Sequence, residues 1–227
     1  MIPQIKYHPS DEMLAKFNQA ELPPGISTAI SAHLDLCSCC RKKSAQLIDQ
    51  ASEQWLHTEP VAEPDFDDLL ADIVSQPQQA STSNIEPALS QRVHLLEHSV
   101  EVPAVLAKAA GESLRWNKLP GGINLASLAL DRKAQCDFLY MKPGSQIPRH
   151  KHQGIEITLV LDGTFTDDLG SYHPGDFIVR SGEDSHGATS DDGCLCFTVL
   201  ENPVIFTSGL ARMLNPINRL LFNRAVK

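Results

Sequence analysis

His33, Cys37 and Cys40 lie at offsets of 0, +4 and +7 within His33-Leu34-Asp35-Leu36-Cys37-Ser38-Cys39-Cys40. On one continuous helix those offsets share a face. If the helix breaks before Cys37, the Cys37–Cys40 pair can still clasp a metal from the turn that opens the next helix. Either geometry supplies three ligands, and a closed structural zinc site takes four. Histidine followed by two cysteines, in a chain with no apolar leader, points to metal before disulfide. The competing reading is packing, since a free cysteine fills space like a small hydrophobe.

A second constellation lies far along the chain. His150 and His152 are two apart, so on a strand they point to one face. Glu156 falls on the following strand, and His186 stands eleven residues after Gly175. Three imidazoles and one carboxylate suit a divalent transition metal. The alternative is a set of surface histidines on a hairpin. Cys194 and Cys196 share a strand face opposite Leu195 and Phe197. They read as half-buried packing or as an oxidant-sensitive pair near that metal. Cys136 reads as packing, and Trp55 and Trp116 read as core residues. No Ser/His/Asp triad and no phosphate-binding glycine loop is evident.

The elements that must position these residues change character along the chain. Residues 1–75 have helical periodicity. Ser10 can cap a helix over Asp11–Ala20, with Met13, Leu14 and Phe17 as its stripe. Pro23-Pro24-Gly25 ends it. A second helix is expected from about Ile26, a third over Ser38–Leu56 and a fourth over Phe66–Val74. Four short helices give a small core that a structural metal would help hold. The polar stretch SQPQQASTSNIEP, Ser75 to Pro87, reads as a linker, with the boundaries set at 76–90. A short helix over Val102–Ala110 follows.

From Leu114 the period changes, and the second domain, bounded at 91–227, carries short β runs: Ser113–Lys118, Ile123–Leu130, Gln135–Met141, Glu156–Leu161, Phe177–Arg180 and Cys194–Leu200. Gly and Pro punctuate them, as a sandwich or small barrel requires. The tail from Ser208 to Phe222 could be a helix, broken or kinked by Pro216. The fold class expected is therefore α+β in two domains: a small helical metal-binding domain, then a β-barrel.

Composition narrows the function. The 227 residues are 42% hydrophobic and 21% charged, as in an ordinary globular protein. A net charge of -9 disfavours a direct grip on nucleic acid. No apolar run approaches a membrane span or a secretory leader, so no membrane partner is expected. Six cysteines over this length do not make a disulfide framework, which fits a reducing cytoplasm.

The pattern Gly144-x5-His150-x-His152-x3-Glu156-x6-Gly163 resembles the first motif of the cupins, a jelly-roll-like fold. The segment from Gly175-Asp176 to His186 resembles the second. Ser181 and Glu183 stand where that motif usually has Pro and Gly, and Ser190 where it often has Asn. A cupin alone does not fix a function. A His-x3-Cys-x2-Cys helical module followed by one cupin resembles the ChrR family of cytoplasmic zinc anti-sigma factors, over nearly the whole chain.

That resemblance implies a zinc ion in the helical half, with His8 as its fourth ligand beside His33, Cys37 and Cys40. His57 is the competing candidate, and Cys39, extra to the pattern, is expected to face elsewhere. It also implies a divalent metal (Zn2+, or Mn2+ or Fe2+) on His150, His152, Glu156 and His186. The helical half would bind an extracytoplasmic-function sigma factor, and the cupin would make release responsive to singlet oxygen or related oxidants. The rival is a metal-dependent cupin enzyme, an oxygenase or isomerase, whose metal keeps open positions. A third reading is a storage or metal-binding cupin.

Overall fold

A computed structural model describes residues 4–56, 66–76, 92–95, 99–111, 114–182 and 185–226. Ser10 caps α1 (Asp11–Asn18), its hydroxyl accepting from the Met13 amide at 3.2 Å. Prolines open α2 (Pro24–Leu36), which stops at Cys37 in extended conformation. The chain re-enters helix at once as α3 (Ser38–Leu56). α4 (Asp67–Ser75) follows.

The expected linker falls almost wholly on residues 77–91, outside the described residues, and after them come β1 (Arg92–His94), β2 (Ser99–Glu101) and α5 (Ala104–Ala110). Then follow β3 (Asn117–Leu119), β4 (Ile123–Leu128), β5 (Gln135–Met141), β6 (Ser145–Lys151) and β7 (Ile155–Gly163). The series continues with β8 (Phe165–Asp167), β9 (Gly170–Tyr172), β10 (Phe177–Ser181) and β11 (His186–Ser190). β12 (Cys194–Leu200), β13 (Ile205–Phe206) and α6 (Asn215–Ala225) close it. Pro216 sits at the start of α6, where its missing N–H costs nothing, so it opens that helix instead of breaking it.

The strands form two antiparallel sheets, β10-β7-β12-β5-β4-β3 and β13-β6-β11-β8-β9, with β1 and β2 as a separate ribbon. Met141, Val160, Cys194 and Cys196 of the first sheet pack with Phe165, Tyr172 and Ala188 of the second. This is the interior between the two sheets. The first sheet's other face is covered too. Phe138, Leu159, Leu195, Phe197 and Val199 pack with Leu14 of α1, Leu106 of α5 and Ile26, Ala29 and Ile30 of α2. A sheet covered on both faces explains why β12 is buried at six successive positions rather than alternating. Gly25 marks how closely α2 approaches: a Cβ there would lie 2.7 Å from Cys136 Sγ and 3.1 Å from Val199 Cγ1.

The expected four-helix core does not form among the described residues. α2 lays its apolar face on the sheet, α1 packs against α3 and α2 and adds Leu14 to that same core, and α4 buries none of its residues. Trp55, expected in a core, is 74% exposed. Trp116 is half-buried against the shared core, and its Nε1 donates to the His94 carbonyl at 3.0 Å.

Candidate metal centres

The first centre is built by three segments that meet at the edge of β10. Residues 5–8 form a strap along that edge. The Lys6 and Tyr7 amides donate to Asp176 Oδ1 at 2.7 and 3.2 Å, and the Phe177 amide donates to the Tyr7 carbonyl at 3.0 Å. The strap delivers His8, whose Nδ1 lies 3.3 Å from Cys40 Sγ, 3.6 Å from Cys37 Sγ and 3.9 Å from Cys39 Sγ. His8, Cys37, Cys39 and Cys40 offer ligand atoms that all lie within 4.8 Å of one another.

His33 borders this group, its ring centroid 5.6 Å from that of His8. It is fully buried, and its Nδ1 lies 2.9 Å from the Gly175 carbonyl oxygen. A carbonyl can only accept, so Nδ1 carries the proton and Nε2 carries a lone pair. Among the described residues that Nε2 has no hydrogen-bond partner. A buried ring nitrogen fixed as an acceptor and left unsatisfied is what a metal-ligating imidazole offers. The donor set of imidazoles and thiols therefore fits zinc.

Cys39 does not face away as expected. Its Sγ lies 3.1 Å from Cys37 Sγ. The reason is local: Cys37 is extended and α3 begins only at Ser38, so an offset of two spans a bend and not a helical turn. His57 lies outside the described residues.

Electrostatics sort the three thiols. Burial pushes Cys37 up, but the Cys40 and Cys39 amides and their thiols outweigh it and hold Cys37 below its usual value. Its carbonyl accepts from the Arg41 amide, so Cys37 caps α3, where a thiolate is favoured. Cys39 is raised by its hydrogen bond to Cys37, and Cys40 by burial and then by Cys37. Burial lowers His33 to about 4.

The second centre sits at one end of the barrel. β6 carries His150, and His152 follows its last residue. Glu156 lies on β7, and His186 opens β11 directly opposite His150. The four ligand atoms lie within 4.8 Å of one another. Glu156 Oε2 is 2.9 Å from His152 Nε2 and 3.7 Å from His186 Nε2. His150 Nδ1 donates to the Pro148 carbonyl at 2.9 Å, which turns an acceptor Nε2 toward the others. Burial lowers His150 to about 4. Burial would raise Glu156, but the imidazoles prevail and keep it below its usual range. These residues fit a divalent transition metal. Gly163 closes the motif because a Cβ there would lie 2.0 Å from the Gly193 carbonyl oxygen.

Cys194 and Cys196 point into the barrel, and both are about 1% exposed, so they are fully rather than half buried. A hydrogen bond between them lowers Cys194 and raises Cys196, and the Glu156 charge raises Cys196 further. Sequence reasoning missed Asp176 and the Gly175 carbonyl as organisers of the first centre. Their signal lay in the Gly175-Asp176 pair, read only as part of a motif.

Residues 107–203 match the ChrR cupin-like domain family. The chain is 30% identical to anti-sigma-E factor ChrR of Cereibacter sphaeroides over 223 residues, covering 95% of this chain and 99% of that protein. It is also similar to the crystal structure of Rhodobacter sphaeroides SigE in complex with the anti-sigma ChrR. There the TM-score is 0.70 at 27% identity, covering 87% of this chain and 100% of that one. With a relative this similar over nearly its full length, the chain belongs to the ChrR family of anti-sigma factors.

Proposed function

We propose that the chain sequesters an extracytoplasmic-function sigma factor in the cytoplasm and releases it in response to singlet oxygen or related oxidants. The observation that carries the sigma-binding reading is α4. Leu69, Leu70 and Ile73 form its apolar stripe, yet they are 56%, 61% and 55% exposed. Trp55 and Leu56 at the end of α3 are exposed as well. Apolar helix faces of this size call for a partner, and the solved relative was captured with SigE. Among the described residues no helix is long and apolar enough to cross a membrane.

In this reading His8, His33, Cys37 and Cys40 hold zinc, and Cys39 stays spare. His150, His152, Glu156 and His186 hold a second divalent ion. Structural zinc supplies cross-links that order a small domain. The chain's own residues do the rest. Cys37 caps α3 and so fixes the direction of its exposed face, and His33 ties that corner to the sheet. The thiols and imidazoles of both centres, with Cys194 and Cys196, are the groups that oxidants modify.

The test is transcription by core RNA polymerase with the cognate sigma, with and without the purified chain. Wild type is expected to inhibit. A Leu70→Asp, Ile73→Asp variant should keep its thermal stability, because both sites are exposed, yet bind sigma at least tenfold more weakly, about 1.4 kcal/mol. A wild-type chain that does not inhibit overturns the reading.

One observation favours an enzyme instead. A shallow, open hollow lined in part by His152, Ile155, Ser181 and Asn202 lies beside the barrel centre, where a small molecule could reach a bound metal. Turnover of a small molecule by purified protein would establish that reading.

A further inference from the structure

Asp176 is completely buried, and all the side-chain partners it shows are backbone amides. Oδ1 accepts from Lys6 and Tyr7, at 2.7 and 3.2 Å, across 170 and 169 positions of sequence. Oδ2 accepts from His173 at 2.9 Å, within its own turn. A carboxylate accepting amide hydrogens makes stronger bonds than a neutral acceptor. This one spends them on the strap that ends in His8. The preceding residue, Gly175, gives its carbonyl to His33. Gly175 has φ +93 and lies against Ile5, where a Cβ would come within 2.5 Å of Ile5 Cδ1. Adjacent residues of one cupin turn thus locate both imidazoles of the helical centre.

The turn is itself fixed to the barrel. The Gly175 amide donates to the Val160 carbonyl at 2.8 Å, and the Val160 amide donates to the Asp176 carbonyl at 3.1 Å. Val160 belongs to β7, the strand that carries Glu156. β10 continues from the turn and pairs with β7, setting Arg180 opposite Glu156.

We infer that Asp176 is a positioning residue for the helical metal centre: it holds the His8 strap in place and anchors it to the strand that carries a barrel ligand. This rests on the reading that His8 and His33 are ligands of that centre. Asp176 contacts no candidate ligand atom itself, and it acts through the strap.

The experiment uses the full chain loaded with zinc and titrated with a chromophoric chelator. His8→Ala identifies which zinc ion belongs to the helical centre. Asp176→Asn removes the charge and turns one acceptor into a donor facing amide hydrogens. It should raise the dissociation constant of the helical zinc at least tenfold while the barrel metal stays bound. Hydrogen exchange at the Lys6 and Tyr7 amides should accelerate in step. Leu106→Ala, in the shared core and not among the candidate ligands or strap partners, controls for general destabilisation. It should lower the melting temperature and leave helical zinc affinity unchanged. If Asp176→Asn does not fold, Lys6→Pro removes the 2.7 Å donor from the strap side and should loosen the same zinc.

Unchanged helical zinc affinity in the folded variant overturns the inference. So does an equal loss in Leu106→Ala. If His8→Ala keeps both metal ions, the ligand reading fails first and the inference falls with it.

Discussion

The Nδ1 of His33 lies 2.9 Å from the carbonyl oxygen of Gly175, across 142 positions of sequence. This contact joins α2 to the turn before β10, beside the candidate metal centre. It sets the His33 tautomer from the cupin side, so the helical centre is not a self-contained motif. The same dependence runs through the packing. Ile26, Ala29 and Ile30 of α2 share one core with Leu159, Phe177 and Phe197 of the barrel sheet.

The first prediction concerns the spare thiol. Four donors cluster at the centre, His8, Cys37, Cys39 and Cys40, and His33 borders them as a fifth candidate for a zinc site that takes four. Cys39 is exposed, whereas His33 is fully buried with an unsatisfied Nε2. Leaving that nitrogen unpaired costs about 1–3 kcal/mol. His33→Ala should therefore lose the helical zinc, and Cys39→Ser should keep it at one ion per centre. Elemental analysis gives the stoichiometry. A cobalt-substituted Cys39→Ser protein should retain the thiolate-to-metal absorption of wild type. Loss of a third of that band would make Cys39 a ligand.

A second prediction follows from Asp137 on β5. It is 1% exposed, and its Oδ2 accepts from Gln135 Nε2 at 2.6 Å. Burial raises its pKa, against the pull of hydrogen bonds from Ser127 and Gln135. A raised folded pKa means the native state holds the proton more tightly than the unfolded chain. Its contribution is therefore greatest below the unfolded value and is lost as pH rises through the folded one. Asp137→Asn should melt at about the wild-type temperature in acid and above it at neutral pH. A gap that stays constant with pH would show that Asp137 does not titrate this way.

Much of this was legible in the sequence, and the failures have physical causes. The bounds of α3 and of β5 and β12 follow from local periodicity. The barrel centre was legible because a two-residue offset on an extended chain keeps one face, whatever the wider fold. β6 and β11 were not read as strands, because SQIPRHK and HGATS lack an apolar alternation. The helical core was misjudged because α2 finds its partner far away in sequence, which no window of local periodicity reaches. Cys39 joins the cluster because the chain bends at Cys37, where an unbroken helix would turn its thiol away from that of Cys37.

The third prediction concerns division of labour between the halves. The apolar faces of α3 and α4 that suit sigma lie wholly before residue 77. A fragment ending at Gln76 keeps them, together with His8, His33, Cys37 and Cys40. It loses the sheet beneath α2, and with it Asp176 and the Gly175 carbonyl that hold the His8 strap and His33, so its zinc should bind at least tenfold more weakly than in the full chain. Exposing Ile26 and Ile30 alone costs about 1.5–3 kcal/mol each, a large share of what a small domain has. Metal binding can offset this, since a structural zinc contributes on the order of 10 kcal/mol to folding small domains. The fragment should thus be helical with zinc and unfold when zinc is chelated, whereas the full chain stays folded through its barrel. Circular dichroism with and without chelator separates these outcomes. In cells, the zinc-loaded fragment should repress a sigma-dependent reporter as the full chain does. Light plus a photosensitiser should relieve repression by the full chain only, because the fragment lacks the barrel centre, Cys194 and Cys196. A fragment that holds zinc, folds and fails to repress would make the barrel part of the sigma-binding surface. A fragment that represses and still releases sigma in light would move the sensor to Cys37, Cys39 and Cys40.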